Sequence, residues 1–306
     1  MEVSTVTSTK TITKNNKRKW KQTILPWILL SPTLVLLLLV VGGPLVGTLW
    51  LAFTDWNGIA NPEFIGFENF IRLFSDHVFF AALLNNVKWM GFFLTVPVIL
   101  SLSVALLISK VKFGKMFYRM IVFIPYIVAT VVTAKIWLWM YNPYVGLNVK
   151  FEEWGLDWLA LPWLEDGKYA LFSVALADGW HFYGFLVVLF LVALQQIDKS
   201  LEEAALVEGA NKIQIFFHVV LPQLRPTLVL IYMLLIIWSF AAFDYVFVMT
   251  QGGPGNASEL IATYMYDLAI YGQQPGYASA VALTMGLFSI LVIVGFGYLK
   301  KKGWDV

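Results

Sequence analysis

The sequence predicts an all-α integral membrane protein that crosses the bilayer six times. Of its 306 residues, 59% are hydrophobic and only 13% are charged, against about 25% charged residues in soluble domains. The mean hydropathy is +0.74, and several apolar runs approach the length of about twenty residues that a helix needs to cross the hydrocarbon core. These figures exclude a single soluble core. The formal net charge of +2 gives no indication of a nucleic-acid partner.

The apolar runs set the predicted spans. The first run contains thirty residues without a charge. It is too long for the hydrophobic region of a signal peptide, so we expect it to be retained as a helix. The six predicted spans are residues 24–53, 87–109, 116–141, 169–193, 226–249 and 276–299.

The distribution of basic residues predicts the orientation of these spans. Sixteen of the 21 lysines and arginines lie in the N-terminal tail, the loops after spans two and four, and the C-terminus. Cytoplasmic loops retain such residues, so both termini are predicted to face the cytoplasm. Residues 1–23 are polar and predict a disordered cytoplasmic tail. Residues 24–299 then form the transmembrane domain, and residues 300–306 form a basic cytoplasmic C-terminus.

The loop between spans four and five carries the most specific pattern. Ser200 followed by Glu203 fits a capping box, and Gly209 is suited to end a helix, so we predict a short helix over residues 201–208. The loop contains Glu-Ala-Ala, three residues, Gly, nine residues, an aliphatic residue, one residue and Leu-Pro. The six positions that we assign to this motif are Glu203, Ala204, Ala205, Gly209, Leu221 and Pro222.

This motif resembles the EAA motif of permease subunits in binding-protein-dependent ATP-binding-cassette (ABC) importers. Further segments are similar to the maltose and oligosaccharide branch of these permeases, which is the MalF/MalG-like family. They are residues 64–76, 118–125, 179–197, 250–254 and 276–280. Two positions depart from the family pattern: Glu208 stands where Asp is usual, and Asp198 stands where Pro is common.

The resemblance implies a sugar or oligosaccharide importer in a prokaryotic inner or plasma membrane. It implies a heterodimer with a second similar permease, two ATP-binding subunits, and an extracytoplasmic binding protein that delivers the solute. The EAA segment would be the coupling helix that contacts the ATPase. The sequence contains no phosphate-binding loop of the G-x-x-x-x-G-K-[ST] type. We therefore expect ATP and Mg²⁺ on a separate subunit, with no cofactor and no enzymatic activity on this chain.

Polar and aromatic residues within the spans are candidates for the substrate path, because polar groups in a membrane are costly and usually face a cavity. These candidates are Asp178, Trp180, His181, Tyr183, Trp238, Ser239, Asp244, Tyr245 and Thr284. Two simpler interpretations remain open. Trp and Tyr also collect at lipid interfaces, and Asp178 with His181, at i and i+3, can form an internal pair.

Three other functions compete with a sugar importer. The same importer class can carry glycerol 3-phosphate or a polyol. An ion-coupled secondary transporter would use Asp178, Asp244, Lys88 or Lys135 as a proton relay. A membrane-embedded hydrolase would need a nucleophile near Asp178 and His181, where the sequence offers no convincing one. The three histidines fall in different regions, and the chain has no cysteine, so we expect no metal site.

Overall fold

The computed structural model of the chain describes residues 9–301. Over this range the chain is almost entirely helical, with one short antiparallel pair that joins Thr54–Asp55 to Glu63–Phe64. Two π-helical turns, Leu38–Gly42 and Phe216–Val220, and one 3₁₀ turn, Asp157–Leu159, connect longer helices. The α-helices are α1 (Thr9–Leu37), α2 (Gly43–Leu51), α3 (Glu68–Phe74), α4 (His77–Lys110), α5 (Lys115–Ile127), α6 (Thr130–Met140), α7 (Leu147–Glu153), α8 (Gly167–Gln196), α9 (Lys199–Val207), α10 (Lys212–Ile215), α11 (Leu221–Gln223), α12 (Arg225–Phe240), α13 (Asp244–Met249), α14 (Ile261–Ile270) and α15 (Pro275–Lys301).

Between four and six helical segments in the described part of the chain are long and apolar enough to cross a membrane. Four are continuous: Thr23–Leu51, His77–Lys110, Gly167–Gln196 and Pro275–Tyr298. Two more form if each of two bent pairs is one span. The α5–α6 pair bends by 91°, and the pair Lys212–Gln223 and Arg225–Phe240 bends by 66°. The helical membrane class is confirmed, and the count of six remains a prediction.

The two bends have local causes. Pro125 lies near the end of α5, and the next two linking residues, Val128 and Ala129, adopt extended backbone angles. The second bend lies between Pro222 and Pro226. Proline lacks the N–H group that the helical ladder requires, and its ring crowds the preceding turn, so helices bend or stop there.

Helix α8 lies at the centre of the packed structure. In the most apolar stretch of 18 residues in α8, 61% of the residues are buried, whereas none is buried in the corresponding stretch of Thr23–Leu51. Trp89 and Phe93 of α4 pack with Phe182, Leu186 and Phe190 of α8 in the main core cluster. The first span therefore presents its apolar side chains outwards, as a helix surrounded by lipid does.

Several predicted boundaries differ from those observed. Helix α4 begins ten residues before predicted residue 87, because Asp76 caps it by accepting hydrogen bonds from the N–H groups of Val78 and Phe79. The predicted fifth span, 226–249, is divided by residues 241–243, which are not helical.

The two predicted terminal segments are described only in part. Residues 1–8 of the predicted disordered tail lie outside the described residues, and the rest of that tail belongs to α1, which begins at Thr9. Residues 302–306 of the predicted C-terminal segment also lie outside the described range.

Candidate functional sites

The first candidate site is a helical elbow, residues 198–224, that connects α8 to α12. Its first helix, α9, is capped by Asp198, whose carboxylate accepts a hydrogen bond from the Ser200 N–H at 2.9 Å. This bond holds the pKa of Asp198 below its usual value. The predicted Ser200–Glu203 capping box is therefore wrong. The helix begins at Lys199, two residues before the predicted start at residue 201, because Asp198 is the N-cap and aspartate is favoured there.

Gly209 ends α9, as its position in the sequence predicted. Its φ is +88°, a left-handed conformation that glycine adopts without steric cost. The Gly209 N–H donates to the Leu206 carbonyl at 3.1 Å, and the Ala210 N–H donates to the Ala205 carbonyl at 2.9 Å. These two bonds form a Schellman motif, which satisfies carbonyls at the helix end and turns the chain sharply.

A capping box begins the other half of the elbow, at α10. The Asn211 side chain accepts hydrogen bonds from the Ile213 and Gln214 N–H groups, and the Gln214 side chain accepts one from the Asn211 N–H. Beneath the elbow a small cluster of buried residues joins it to the end of α8. This cluster consists of Ala193, Ile215, Val220 and Leu224. The elbow is therefore a packed unit with both helix starts capped.

The six motif residues occupy different parts of the elbow. Glu203, Ala204 and Gly209 are exposed, Ala205 packs against the cluster beneath the elbow, and Leu221 and Pro222 are half-buried near the bend. Apolar side chains are exposed around α9 and α10, namely Leu201, Leu206, Val207, Ile213 and Phe217. An exposed apolar surface next to acidic side chains is typical of a protein–protein contact.

The second candidate site is a cavity of about 250 Å³ within the helical bundle. Its walls come from α4, α8, α12 and α13, with Thr130 from the start of α6. Six of the nine predicted path residues line it: Asp178, His181, Trp238, Ser239, Asp244 and Tyr245. The non-helical residues 241–243 also line the cavity, which is where irregular backbone is tolerated at membrane depth.

Hydrogen bonds fix several polar side chains of the cavity. His181 Nε2 lies 3.1 Å from the carbonyl oxygen of Val128, which the bend between α5 and α6 leaves without a helical partner. Tyr245 Oη lies 2.5 Å from Thr133 Oγ1. The Ser239 hydroxyl donates to the Leu235 carbonyl of its own helix at 2.7 Å. These bonds stabilise the walls around the cavity.

The two cavity carboxylates lack such partners. Among the described residues, no hydrogen bond or ion pair engages the side chain of Asp178 or Asp244. The interpretation of Asp178 and His181 as an internal pair is therefore not supported, since His181 bonds to Val128 instead.

Three predicted path residues lie outside the cavity. Trp180 is separated from Asp178 by about 200° around α8 and packs edge-to-face with Trp137 at 5.7 Å. Tyr183 is half-buried elsewhere on α8. The Thr284 hydroxyl donates to the Ala280 carbonyl of its own helix.

The cavity also includes residues that the sequence analysis missed. Trp89 and Phe93 of α4 form part of the aromatic wall, together with Phe182 and Phe243. Trp89 and Phe93 are four residues apart, and this helical spacing of aromatics in a span was the one available signal.

The structure holds no group of three or more potential metal-ligating side chains within its described range.

A family comparison covers the elbow and most of the cavity. Residues 97–303 match the family model described as the inner membrane component of binding-protein-dependent transport systems. The chain belongs to this family. The permease is therefore a transport subunit and has no enzymatic role of its own, as the sequence predicted.

Individual relatives agree with this assignment. The permease is 34% identical over 91% of its length to a probable ABC transporter permease protein of Pyrococcus horikoshii, covering 97% of that protein. It is 33% identical over 84% of its length to the trehalose/maltose transport system permease protein MalF of Thermococcus litoralis, covering 88% of it. It is 30% identical over 91% of its length to the sn-glycerol-3-phosphate transport system permease protein UgpA of Escherichia coli, covering 95% of it.

A solved structure has the same fold. One chain of a bacterial ABC transporter involved in the import of the acidic polysaccharide alginate superposes on the permease with a TM-score of 0.81. The superposition covers 95% of the permease and 98% of that chain, with 23% sequence identity.

Proposed function

We propose that the permease is a transmembrane subunit of an ATP-driven ABC importer that moves a sugar or oligosaccharide delivered by an extracytoplasmic binding protein. The observation that carries this proposal is the family match, which includes the elbow and most of the cavity. A sugar as the cargo is supported by the maltose-type relative. It is also supported by the further segments that resemble the maltose and oligosaccharide branch. The complete importer then contains a second, similar permease and two ATP-binding subunits.

The elbow is the proposed contact with the ATP-binding subunit. In this role Glu203, Ala204, Ala205, Gly209, Leu221 and Pro222 form the motif. The exposed α9 surface meets the ATPase, and the small alanine side chains allow close approach. Because the elbow is packed onto the end of α8 and bends directly into α12, a displacement of α9 by the ATPase is transmitted to both helices. ATP and Mg²⁺ remain on the ATPase.

The cavity is the proposed substrate path on this subunit. Its aromatic side chains offer flat faces for the C–H groups of a sugar ring, and the free acceptors of Asp178 and Asp244 bind sugar hydroxyl groups. Trp180, Tyr183 and Thr284 lie outside this cavity, so their predicted substrate contacts would require a different part of the path.

The proposed topology has six spans with both termini in the cytoplasm, and the location is a prokaryotic inner or plasma membrane. Each bent helix pair then counts as one span. This orientation places the elbow on the cytoplasmic side, where ATP is available. Cysteine labelling checks it, because the chain has no native cysteine: a cysteine at Val207 should react only with a reagent that enters the cytoplasm.

Reconstitution of the complete importer tests the function. Proteoliposomes that contain both permeases and the ATPase, supplied with binding protein and radiolabelled oligosaccharide, should show uptake that vanadate abolishes and a proton uncoupler leaves unchanged. Uptake that persists with this chain alone, or that the uncoupler abolishes, would contradict the proposal and indicate a secondary transporter.

The rival secondary transporter has little structural support. Its candidate relay residues Lys88 and Lys135 form no ion pair with Asp178 or Asp244. Lys150 and Glu153 form the only ion pair among the described residues.

Glycerol 3-phosphate as the cargo has the UgpA relative in its favour. Competition of unlabelled glycerol 3-phosphate against oligosaccharide uptake distinguishes the two cargoes.

A further inference from the structure

The charge of the cavity wall is the observation on which a further inference rests. Among the residues that the structure describes, the titratable ones that line the cavity are Asp178, His181, Asp244 and Tyr245, and no lysine or arginine lines it. His181 uses one ring nitrogen at the Val128 carbonyl. In the described part of the chain the wall is therefore acidic, because its two carboxyl groups have no lysine or arginine beside them in the lining.

Nearby basic residues do not change this balance. Lys88 of α4 and Lys135 of α6 lie in the predicted spans, but both are exposed and neither lines the cavity. Lys88 Nζ lies 3.4 Å from Asn85 Oδ1, one of its own helical neighbours. The carboxylates thus remain the dominant charges that a solute in the cavity would meet.

We infer that this cavity is a charge filter that admits neutral, polyhydroxylated solutes and rejects anionic ones. The inference rests on the proposed function, and it narrows the cargo to neutral saccharides or polyols, excluding phosphate esters and uronates. A carboxylate accepts hydrogen bonds from sugar hydroxyl groups. The same carboxylate repels an anion, and this repulsion is stronger inside a protein than in water because the effective dielectric constant is lower.

The aromatic wall strengthens this selection. Trp238 packs edge-to-face on Phe182, with ring centroids 4.8 Å apart, and Trp89 stacks on Phe93 at 5.4 Å. Apart from the neutral indole N–H groups of Trp89 and Trp238, these rings present only apolar faces and edges. Anion sites use charged donors such as arginine, or backbone N–H groups at a helix start. Helices α6 and α13 begin at the wall, but Asp244 places a carboxylate in the first turn of α13. Among the described wall residues no lysine or arginine supplies a charged donor.

The test is equilibrium binding to the complete purified importer without its binding protein, so that the permease path alone selects. The two probes have three rings each: maltotriose, which is neutral, and trigalacturonate, which is anionic. We expect the wild type to bind maltotriose at least about tenfold more tightly, equivalent to about 1.4 kcal/mol. In the double variant Asp178→Asn/Asp244→Asn the preference should fall to about threefold or less, because asparagine keeps the shape and removes the charge.

Two further variants keep the result interpretable. Asp244→Asn alone changes an exposed side chain, so it should fold normally and reduce the preference in part. Asp157→Asn removes an exposed carboxylate outside the cavity and should leave the preference unchanged. Equal binding of both probes by the wild type, or a preference that survives the double variant, overturns the filter and leaves the proposed function intact. Failure of both probes to bind overturns the filter together with the assignment of this cavity to the path. The proposed function itself is tested separately, by the response of uptake in the reconstituted importer to vanadate and to the uncoupler.

Discussion

Single residues decide how the elbow turns. Gly209 combines a φ of +88° with an exposed position, and a side chain built on it would meet no neighbouring atom within 4 Å. Its requirement is therefore one of backbone conformation, not of space. A residue with a β-branched side chain adopts this conformation only with strain.

We expect Gly209→Val to uncouple the importer. The substitution strains the left-handed turn by roughly 1–2 kcal/mol and shifts α9 relative to α10. Solute uptake per ATP hydrolysed in proteoliposomes should then fall about tenfold. Gly155→Val is the matched control, because Gly155 also has a positive φ and open space around it but lies outside the elbow. Unchanged coupling in Gly209→Val would contradict the proposed role of the elbow.

Asp76 connects three helices by hydrogen bonds at the start of α4. Its Oδ2 atom accepts hydrogen bonds from the hydroxyl groups of Tyr264 and Tyr277, each at 2.5 Å, and its Oδ1 atom caps the helix. Burial raises the pKa of Asp76, but these hydrogen bonds outweigh burial and hold the pKa below its usual value of 3.8. The ionised carboxylate thus joins α4, α14 and α15.

We expect Asp76→Asn to lower the melting temperature of the purified protein at neutral pH. Because the folded-state pKa is lowered, the carboxylate stabilises the fold above its usual pKa, and the contribution is lost as the pH falls through the folded value. The difference in melting temperature between wild type and variant should stay constant above about pH 5. It should shrink towards zero as the pH falls below about 4. A difference in melting temperature that grows on acidification would contradict a stabilising role of the ionised Asp76 carboxylate.

At the scale of elements, polar side chains tie α4 to the loop between α13 and α14 and to α12. The Asn85 side-chain amide donates to the carbonyl oxygens of residues 256, 257 and 259. The Asn86 amide donates to the Ser239 carbonyl at 2.6 Å and accepts from the Ile261 N–H at 2.8 Å. These two asparagines, both buried, satisfy backbone groups where helices end.

Close packing of α8 against α5 depends on Gly184. A Cβ atom at this position would lie 2.2 Å from the Val122 carbonyl oxygen. The two helices can therefore pack this closely only because glycine has no side chain. We expect Gly184→Ala to separate α5 from α8 and to cost about 1–3 kcal/mol. The measurement is the melting temperature in detergent.

Gly91→Ala on α4 is the control for this change, since a Cβ atom there meets nothing within 4 Å. Alanine also favours helix over glycine by about 1 kcal/mol, so this variant should be at least as stable as the wild type. Equal melting temperatures for the two variants would show that the α5–α8 approach tolerates a methyl group.

At the scale of the whole molecule, the cavity forms where two helical paths are interrupted. His181 binds the carbonyl that the α5–α6 bend leaves free, and residues 241–243 interrupt the path between α12 and α13 beside the same cavity. The interruptions place backbone polar groups around a central space, and the aromatic wall surrounds it.

We expect Trp238→Leu to reduce oligosaccharide uptake by about five- to tenfold, because a stacking surface worth about 1–1.5 kcal/mol is lost. ATP hydrolysis by the importer in the absence of solute should be retained. Trp27→Leu is the control, since Trp27 is 64% exposed on the first span. Equal uptake by both variants would remove Trp238 from the path.

The sequence by itself determined the membrane class, the helical content, the approximate positions of the spans and the end of α9 at Gly209. Hydrophobic run length, proline and glycine are local signals, and the bilayer or the backbone acts on them directly. The start of α9 was predicted wrongly: the sequence analysis assigned the cap to Ser200, whereas the structure shows Asp198 at the N-cap.

Only the tertiary structure decided which polar residues meet. The break at Ala241, Ala242 and Phe243 carries no proline or glycine, so no local signal marks it, and it arises from packing with other helices. The same packing brings six of nine predicted path residues to one cavity and turns Trp180 away. Which face of a nearly uniformly apolar helix points inwards depends on its neighbours, because lipid and a protein core are equally apolar environments.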